Sequence, residues 1–456
     1  MRAPDTTDTI VAPSTAPGGA AIAVLRVSGP RAFSICSNFL HPNKALSDPK
    51  PRLTHLLRIK DGDELIDRAV AVFYRAPASY TGDDTVELFC HGSPYILRSA
   101  LTLAIRHGAR EAEPGEFTLR AFLNGKLDLA EAEAVGDLIA SSTRAEHAAA
   151  MRQVEGELSA GIKGFKAALV SVLADLEARL DDADSEIPAE DSGALSAEVL
   201  AARAKISEAA ESFRRGRFVR EGIKVAIAGA PNSGKSSLLN ALAGASRAIV
   251  SHEPGTTRDC VETPVELGGH RVVFTDTAGF NPSPGGDIEA EGLRRAAAAV
   301  ASADITLFVA DGSAPESPGD RLAAGTIADR LPPGARVIKV LNKSDLPAAR
   351  EDAVAVKVSA LTGAGLDRLR AALLEGETAV IEEGGLGGAV TSARHFQALS
   401  RAADELIPAA ERIRAGEPEL AAEHLRAALS SLGEILGETT PDEILSEIFG
   451  RFCVGK

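Results

Sequence analysis

The sequence predicts a multidomain fold of α/β plus α class: an N-terminal α+β domain, a helical domain, and a parallel α/β domain inserted into the helical one. Three observations predict it. Short β-like runs separated by turn signals fill residues 1–120. Helical spacing takes over at about residue 123. Near Gly222 strands begin to alternate with helices, and helical spacing returns after a glycine-rich link at 383–388. Strands alternating with helices imply a parallel sheet. Two helical segments flanking that sheet are most economically one domain, interrupted. The expected boundaries are 1–122, 123–220, 221–378 and 379–456.

Residues 20–27 (AAIAVLRV), 68–74 (RAVAVFY) and 86–90 (VELFC) read as strands, with Gly18-Gly19, Asp61-Gly62 and Thr81-Gly82 as turns. Residues 93–106 read as a helix. In the helical segment, Leu127, Ala130, Ala134, Leu138 and Ile139 recur every three or four positions, as do Leu169, Leu173, Leu176 and Leu180. The acidic stretch 181–192, which holds Pro188, reads as a loop between helices. Strands are then expected at 224–229, 271–275, 305–310, 337–341 and 355–358, with an amphipathic helix at 366–375. Residues 392–449 read as helical.

The composition is ordinary for a globular chain: 45% hydrophobic and 25% charged over 456 residues. That excludes disordered and fibrous classes. No run of 18 apolar residues is long enough to span a membrane. The first 25 residues carry Asp5 and Asp8 and no signal-peptide pattern. Four scattered cysteines (Cys36, Cys90, Cys260, Cys453) lack metal-ligand spacing and suit a reducing cytoplasm. The net charge of −15 argues against a protein that coats nucleic acid by bulk electrostatics. The acid excess is uneven. Basic and acidic residues number 14 and 13 in 1–120, 12 and 18 in 121–220, 16 and 20 in 221–380, and 7 and 13 in 381–456.

The chemistry is most legible after the strand at 224–229. Gly229-Ala230-Pro231-Asn232-Ser233-Gly234-Lys235-Ser236 fits G-x-x-x-x-G-K-[ST] between a strand and a helix beginning near Ser237. Backbone N–H groups of such a loop cradle phosphates, and the helix N-terminus adds a favourable dipole. Lys235 supplies charge to the β- and γ-phosphates, and Ser236 offers a hydroxyl to Mg²⁺. Asn342-Lys343-Ser344-Asp345 points to guanine, because a carboxylate there accepts from the N1–H and N2–H₂ edge that adenine lacks. Ser359 and Ala360 follow the next strand and cap the ring. Asp276-Thr277-Ala278-Gly279 ends another strand. Asp276 can hold Mg²⁺ through water, and Gly279 can sense the γ-phosphate. One threonine of Thr256-Thr257 completes the Mg²⁺ shell, which makes 255–259 a switch. Phe280 stands where small GTPases place a water-orienting Gln, so Asn232 or an acid within 287–291 is a candidate substitute.

With these motifs on the page, the whole chain resembles the tRNA-modification GTPase family MnmE (TrmE). The markers are Asp8-Thr9-Ile10-Val11-Ala12, Leu25-Arg26-Val27-Ser28-Gly29, Glu87 with His91-Gly92, Pro114-Gly115-Glu116-Phe117-Thr118, residues 120–129 (RAFLNGKLDL), and the tail Phe452-Cys453-Val454-Gly455-Lys456. The resemblance implies an N-terminal tetrahydrofolate-binding and dimerisation domain, a helical domain and an inserted Ras-like G domain. It implies GTP as substrate, Mg²⁺ on Ser236 and Thr257, and K⁺ on Asn232, Ser251, Glu253 and Thr256. It also implies GTP contacts from Ser233, Gly234, Lys235, Ser237, Thr277 and Ala278, and Glu289 as the catalytic, water-orienting residue. Folate contacts (to 5-formyl- or methylene-tetrahydrofolate) would be Arg26, Glu87, Lys126 and Lys456. A positional role is preferred to a nucleophilic one for Cys453. The implied assembly is a homodimer in complex with an FAD-dependent partner of the MnmG (GidA) family. That complex installs a carboxymethylaminomethyl or aminomethyl group on C5 of wobble uridine 34. FAD belongs to the partner, which is also expected to supply much of the basic surface for tRNA. The chain departs from the family pattern in a shorter loop at 16–20, in Ser251 and Glu253, and in a longer Pro/Gly-rich stretch at 280–286. The alternative is a GTP-switched ribosome-assembly or RNA-binding module, which would need only the G domain.

Overall fold

The computed structural model of the chain describes residues 7–42, 50–180, 189–244, 262–276, 287–375 and 391–455. It divides into two compact units, one of residues 1–136, 153–167 and 426–456, the other of residues 137–152 and 168–425.

The first unit opens with β1 (Ile10–Pro13), β2 (Ile22–Ser28), α1 (Ala32–Ser37), β3 (Leu40–His41), β4 (Thr54–Asp61), β5 (Glu64–Tyr74), β6 (Thr85–His91), α2 (Pro94–Arg106) and β7 (Arg110–Glu111). The strands form one sheet in the order β3-β4-β5-β6-β2-β1-β7, antiparallel except where β1 meets β7. The alternation that predicts β2 holds in three dimensions: Ala23, Leu25 and Val27 are buried while Val24 and Arg26 face the other side. On the buried side Leu25 and Val27 join Phe73, Val86 and Leu88 from neighbouring strands and Ile35 and Leu103 from α1 and α2. Three predicted strands and the helix are found within two residues of their expected starts, except that β5 begins four residues early. Strands β1, β3, β4 and β7 are additions to the sequence reading.

Helices follow: α3 (Glu116–Leu123), α4 (Leu129–Ala140), α5 (Arg144–Val154), α6 (Glu157–Leu180), α7 (Ala189–Glu211) and α8 (Phe213–Glu221). Helix α7 corrects the expected loop at 181–192. It starts at Ala189, inside that stretch. Residues 181–188 lie outside the described residues.

The inserted domain comprises β8 (Ile223–Ala228), α9 (Lys235–Gly244), β9 (Glu262–Leu267), β10 (His270–Asp276), α10 (Asp287–Ser302), β11 (Ile305–Asp311), α11 (Pro318–Arg330), β12 (Arg336–Asn342), β13 (Val356–Lys357) and α12 (Leu366–Leu374). The sheet order is β13-β12-β11-β8-β10-β9, parallel except for the β9–β10 hairpin. From β8 the chain goes first to one side of the sheet and then, at β11, to the other. The carboxyl end of β8 is therefore the topological switch point, where open α/β sheets bind ligands.

The chain closes with α13 (Ala393–Arg414), α14 (Pro418–Leu436) and α15 (Asp442–Gly450), so the predicted run 392–449 is broken at Gly416 and Gly437. Ala398, Leu399, Ala402, Leu406, Ala409 and Ile413 make one buried stripe on α13, which packs along α7. Each fully buried Leu or Ile of that stripe contributes about 1.5–3 kcal/mol. Ser196 at the start of α7 donates to the Ala410 carbonyl at 3.1 Å, while Phe213 stacks on Phe396 with centroids 4.9 Å apart. The two helices thus run antiparallel, one from before the inserted domain and one from after it. The fold class is the one expected: an α+β domain, a helical domain and a P-loop α/β domain inserted into the helices. No described helix is long and apolar enough to cross a membrane.

Candidate functional site

Between β8 and α9 the backbone turns through Asn232 at φ +60° and Gly234 at φ +90°. At Gly234 a side chain is excluded outright, since a Cβ there would lie 2.2 Å from Asn342 Nδ2. The loop is held from behind. Asn342, at the end of β12 and buried, donates through Nδ2 to the Ser233 carbonyl at 3.1 Å and accepts from the Ala360 N–H at 3.1 Å. One side chain therefore ties the phosphate loop to the loop after β13.

Lys235 begins α9. Its buried ammonium donates to the carbonyls of Gly229 at 3.2 Å and Ala230 at 2.9 Å. Burial lowers its pKa from the ordinary lysine value, against the opposing pull of Asp276 and Asp320. Ser236 Oγ donates to Asp276 Oδ2 at 2.8 Å, and Asp276 Oδ1 is buried without a partner among the described residues. A hydroxyl and an under-used carboxylate oxygen side by side are the hard-oxygen donor set that Mg²⁺ takes. Ser237 is exposed on the next position of the helix.

At the other end of the site, Ser359 Oγ donates to Asp345 Oδ1 at 2.5 Å and accepts from the Thr362 N–H at 3.1 Å. Lys343 takes φ +63° and pairs through Nζ with Asp311 Oδ2 at 2.6 Å. Burial works against the Asp311 charge, yet hydrogen bonds from Lys343 and Ser313 hold its carboxyl below the usual carboxylate range. Asp311 was missed by sequence reasoning. Its position at the carboxyl end of β11, beside the switch point, is the signal that would have found it.

Thr277, Ala278, Gly279, Ser251, Glu253, Thr256, Thr257 and Lys456 lie outside the described residues. Glu289 falls in the first turn of α10.

In the first unit, Arg26 and Glu87 are register partners across β2 and β6. They pair with each other: Arg26 Nη2 lies 2.8 Å from Glu87 Oε1, and Nε donates to the same oxygen at 2.9 Å. The Arg26 guanidinium lies 5.3 Å from the Tyr80 ring centroid and 5.5 Å from that of Phe117. Tyr74 donates to Glu87 Oε2 at 3.3 Å. These aromatic walls, from β5, α3 and the loop between β5 and β6, carried no sequence signal. Lys126 is engaged elsewhere, donating to the Pro77 carbonyl at 3.1 Å. The C-terminal tail docks on this unit. Val454 bridges Pro114, and Ser14 Oγ donates to the Gly455 carbonyl at 3.1 Å. Gly455 rests on the Pro13 carbonyl so closely that a Cβ would lie 1.9 Å from its oxygen. Pro13 follows Ala12, the register partner of Arg26, so the tail reaches the strand next to that pair. Cys453 is exposed, whereas Cys36 and Cys90 are buried. Burial, with a smaller contribution from Asp67, pushes the Cys90 thiol up to about 12. Among the described residues no group of His, Cys, Asp or Glu is arranged to hold a metal by three or more ligands.

A phosphate loop at a switch point, a Ser–Asp pair fit for Mg²⁺, and a base loop with a carboxylate suited to guanine define a GTP-binding protein of the P-loop class. The profile of the MnmE helical domain matches residues 129–453, and that of the TrmE GTP-binding protein N-terminus matches residues 9–126. A protein of Syntrophotalea carbinolica named tRNA modification GTPase MnmE is 41% identical over 458 residues, with 98% of this chain and 99% of the relative covered. Proteins of the same name from Parvibaculum lavamentivorans and Rhodospirillum rubrum are each 42% identical, covering 98% and 99% of this chain and 100% of their own lengths. The chain belongs to the MnmE family of tRNA modification GTPases.

Proposed function

We propose that this chain is a Mg²⁺-dependent, K⁺-stimulated GTP hydrolase of the cytoplasm that acts in tRNA modification. As a homodimer with an FAD-dependent partner of the MnmG family, it adds a carboxymethylaminomethyl or aminomethyl group to C5 of wobble uridine 34, drawing the carbon from a tetrahydrofolate derivative. Hydrolysis and membership in a tRNA-modifying family follow from the relatives; K⁺, folate and the flavin partner are the finer reading. Its parts are a folate and dimer domain at 1–122, helical segments at 123–220 and 379–456, and the G domain at 221–378.

The docking of the C-terminal tail beside the Arg26–Glu87 pair carries this reading. A GTP-switched assembly factor has no use for such a pocket. A guanidinium, a carboxylate and two aromatic rings offer the donor, acceptor and stacking surface that a pterin requires. In this reading Arg26, Glu87, Lys126 and Lys456 contact the folate. Mg²⁺, held through Ser236 and Thr257, would neutralise phosphate charge as it develops. Asn232, Ser251, Glu253 and Thr256 would hold K⁺, which would supply the charge an arginine finger gives in other GTPases. Glu289 orients the attacking water in place of the Gln that Phe280 excludes. Asp276, Thr277, Ala278, Gly279, Asn342, Lys343, Asp345, Ser359 and Ala360 complete the nucleotide contacts.

The test is GTP turnover in K⁺ against Na⁺ with folate binding measured alongside, and mass analysis of wobble nucleosides from cells lacking the protein. Faster turnover in K⁺, folate binding and loss of the modified nucleoside are expected. Equal turnover in both salts with no folate binding would sink the finer reading.

A further inference from the structure

At the edge of the first sheet, the strand register sets cations against one another. His41 of β3 lies opposite Arg58 of β4, and Arg58 lies opposite Arg68 of β5. Directly opposed side chains in an antiparallel sheet have Cβ atoms about 4.5–5.5 Å apart, and like charges there are destabilising. Lys60 joins the three in lining a cavity of about 540 Å³. Arg58 and Arg68 are exposed, and Leu56, on the same strand, is 72% exposed beside them. Among the described residues none of the four cations has a carboxylate partner. By contrast, Arg26, Arg106, Arg110 and Arg120 of the same unit are each paired with a carboxylate.

We propose that this row of cations is a binding site for the phosphate backbone of tRNA. Arginine forks match phosphate oxygens, and a bound anion turns an unfavourable ladder into a favourable one. The placement fits the charge distribution: residues 1–120 are the stretch of this acidic chain without an acid excess. A second copy of the chain is a poor occupant, because a two-fold interface centred on this edge would bring two cationic rows together. The site rests on the tRNA-modifying reading above. It narrows the expectation that the partner supplies the basic surface, since a local cationic contact belongs to this chain.

The experiment measures binding of a labelled, unmodified tRNA transcript to the full chain across a salt series, for the wild type and the Arg58→Gln/Arg68→Gln variant. The variant should bind about tenfold or more weakly at low salt, and the slope of log affinity against log salt should fall by about 2. Lys60→Gln alone should lower the slope by about 1. Because the double variant removes opposed like charges, it should melt no lower than wild type and keep its GTP turnover, which separates lost binding from lost folding. Equal affinity and slope in both proteins, with wobble modification intact in the wild type, overturns the site and leaves the tRNA-modifying reading standing. Absence of modification by the wild type with its partner overturns that reading and the site with it. Competition by inorganic phosphate alone as strong as by tRNA would reassign the site to free phosphate. Arginine-dependent sedimentation with anionic phosphatidylserine vesicles but not with tRNA would reassign it to lipid. Either result overturns the proposal.

Discussion

Asn342 Nδ2 donates to the Ser233 carbonyl at 3.1 Å, so the phosphate loop is anchored by a residue of the guanine motif. The other end of the same amide accepts from the Ala360 N–H. Asn342→Ala removes both bonds at a buried position, which costs about 1–3 kcal/mol. Affinity for labelled GDP should fall roughly five- to 150-fold, measured by fluorescence titration. Unchanged affinity would show that the two loops are not coupled through this side chain.

Asp345 is oriented by Ser359 Oγ at 2.5 Å. Asp345→Asn replaces a charge-assisted acceptor pair, worth about 1.5–3 kcal/mol, with an amide that suits the C2 carbonyl of xanthine. Competition binding should show GTP weakened and XTP gained. Retention of the wild-type preference for GTP would remove Asp345 from base recognition.

Such motifs were legible because their chemistry needs contiguous backbone. The phosphate loop must be a short run between strand and helix, so its spacing survives in one dimension. The pairings of the N-terminal unit are different in kind. Arg26 meets Glu87 only through strand register, and Arg120, wholly buried on α3, reads in sequence like any helix-surface arginine. Strand β1, four residues long and almost wholly buried, has no polar alternation to reveal it. Residues 189–192 read as loop because an acidic, Pro-containing stretch resembles a loop as much as a helix N-terminus.

Arg120 belongs to an ion cluster that makes a further prediction. Its Nη2 reaches Glu116 Oε1 at 2.8 Å and Asp8 Oδ1 at 2.5 Å, and Arg110 bridges the same two acids. Burial opposes the charge on both acids, but the two arginines, with the Glu113 N–H also bonding Glu116, hold their carboxyls below the usual range. Depressed folded-state values mean that the stabilisation is complete above about pH 4, where the unfolded acids ionise. It is lost as pH falls through the lower folded values. Glu116→Gln leaves Arg120 still paired with Asp8 but facing a neutral amide, and should cost about 1.5–3 kcal/mol near neutral pH. It should also flatten the acid limb of the stability profile. Thermal unfolding between pH 3 and 7 checks both, and an unaltered melting curve would contradict the role given to the cluster.

Gly455 adopts φ +98° against the Pro13 carbonyl. Gly455→Ala should displace the tail and abolish wobble modification while leaving nucleotide affinity unchanged. Nucleoside mass analysis in a complemented strain, with GDP titration of the same variant, makes the comparison. Full modification by this variant would detach the tail from the chemistry.

The bridge from Val454 back to Pro114 also orders events during synthesis. The inserted domain is built from one continuous stretch and can close as soon as that stretch leaves the ribosome. The first unit cannot: its sheet is made early, but the helices and tail that complete it, from 426 onward, are made last. Its final contacts join residues 340 positions apart, the kind of distant pairing that makes folding slow. Until residues 426–455 are made, the pocket beside Arg26 is therefore incomplete, and chains cut short before them would carry a finished phosphate loop without that closed pocket.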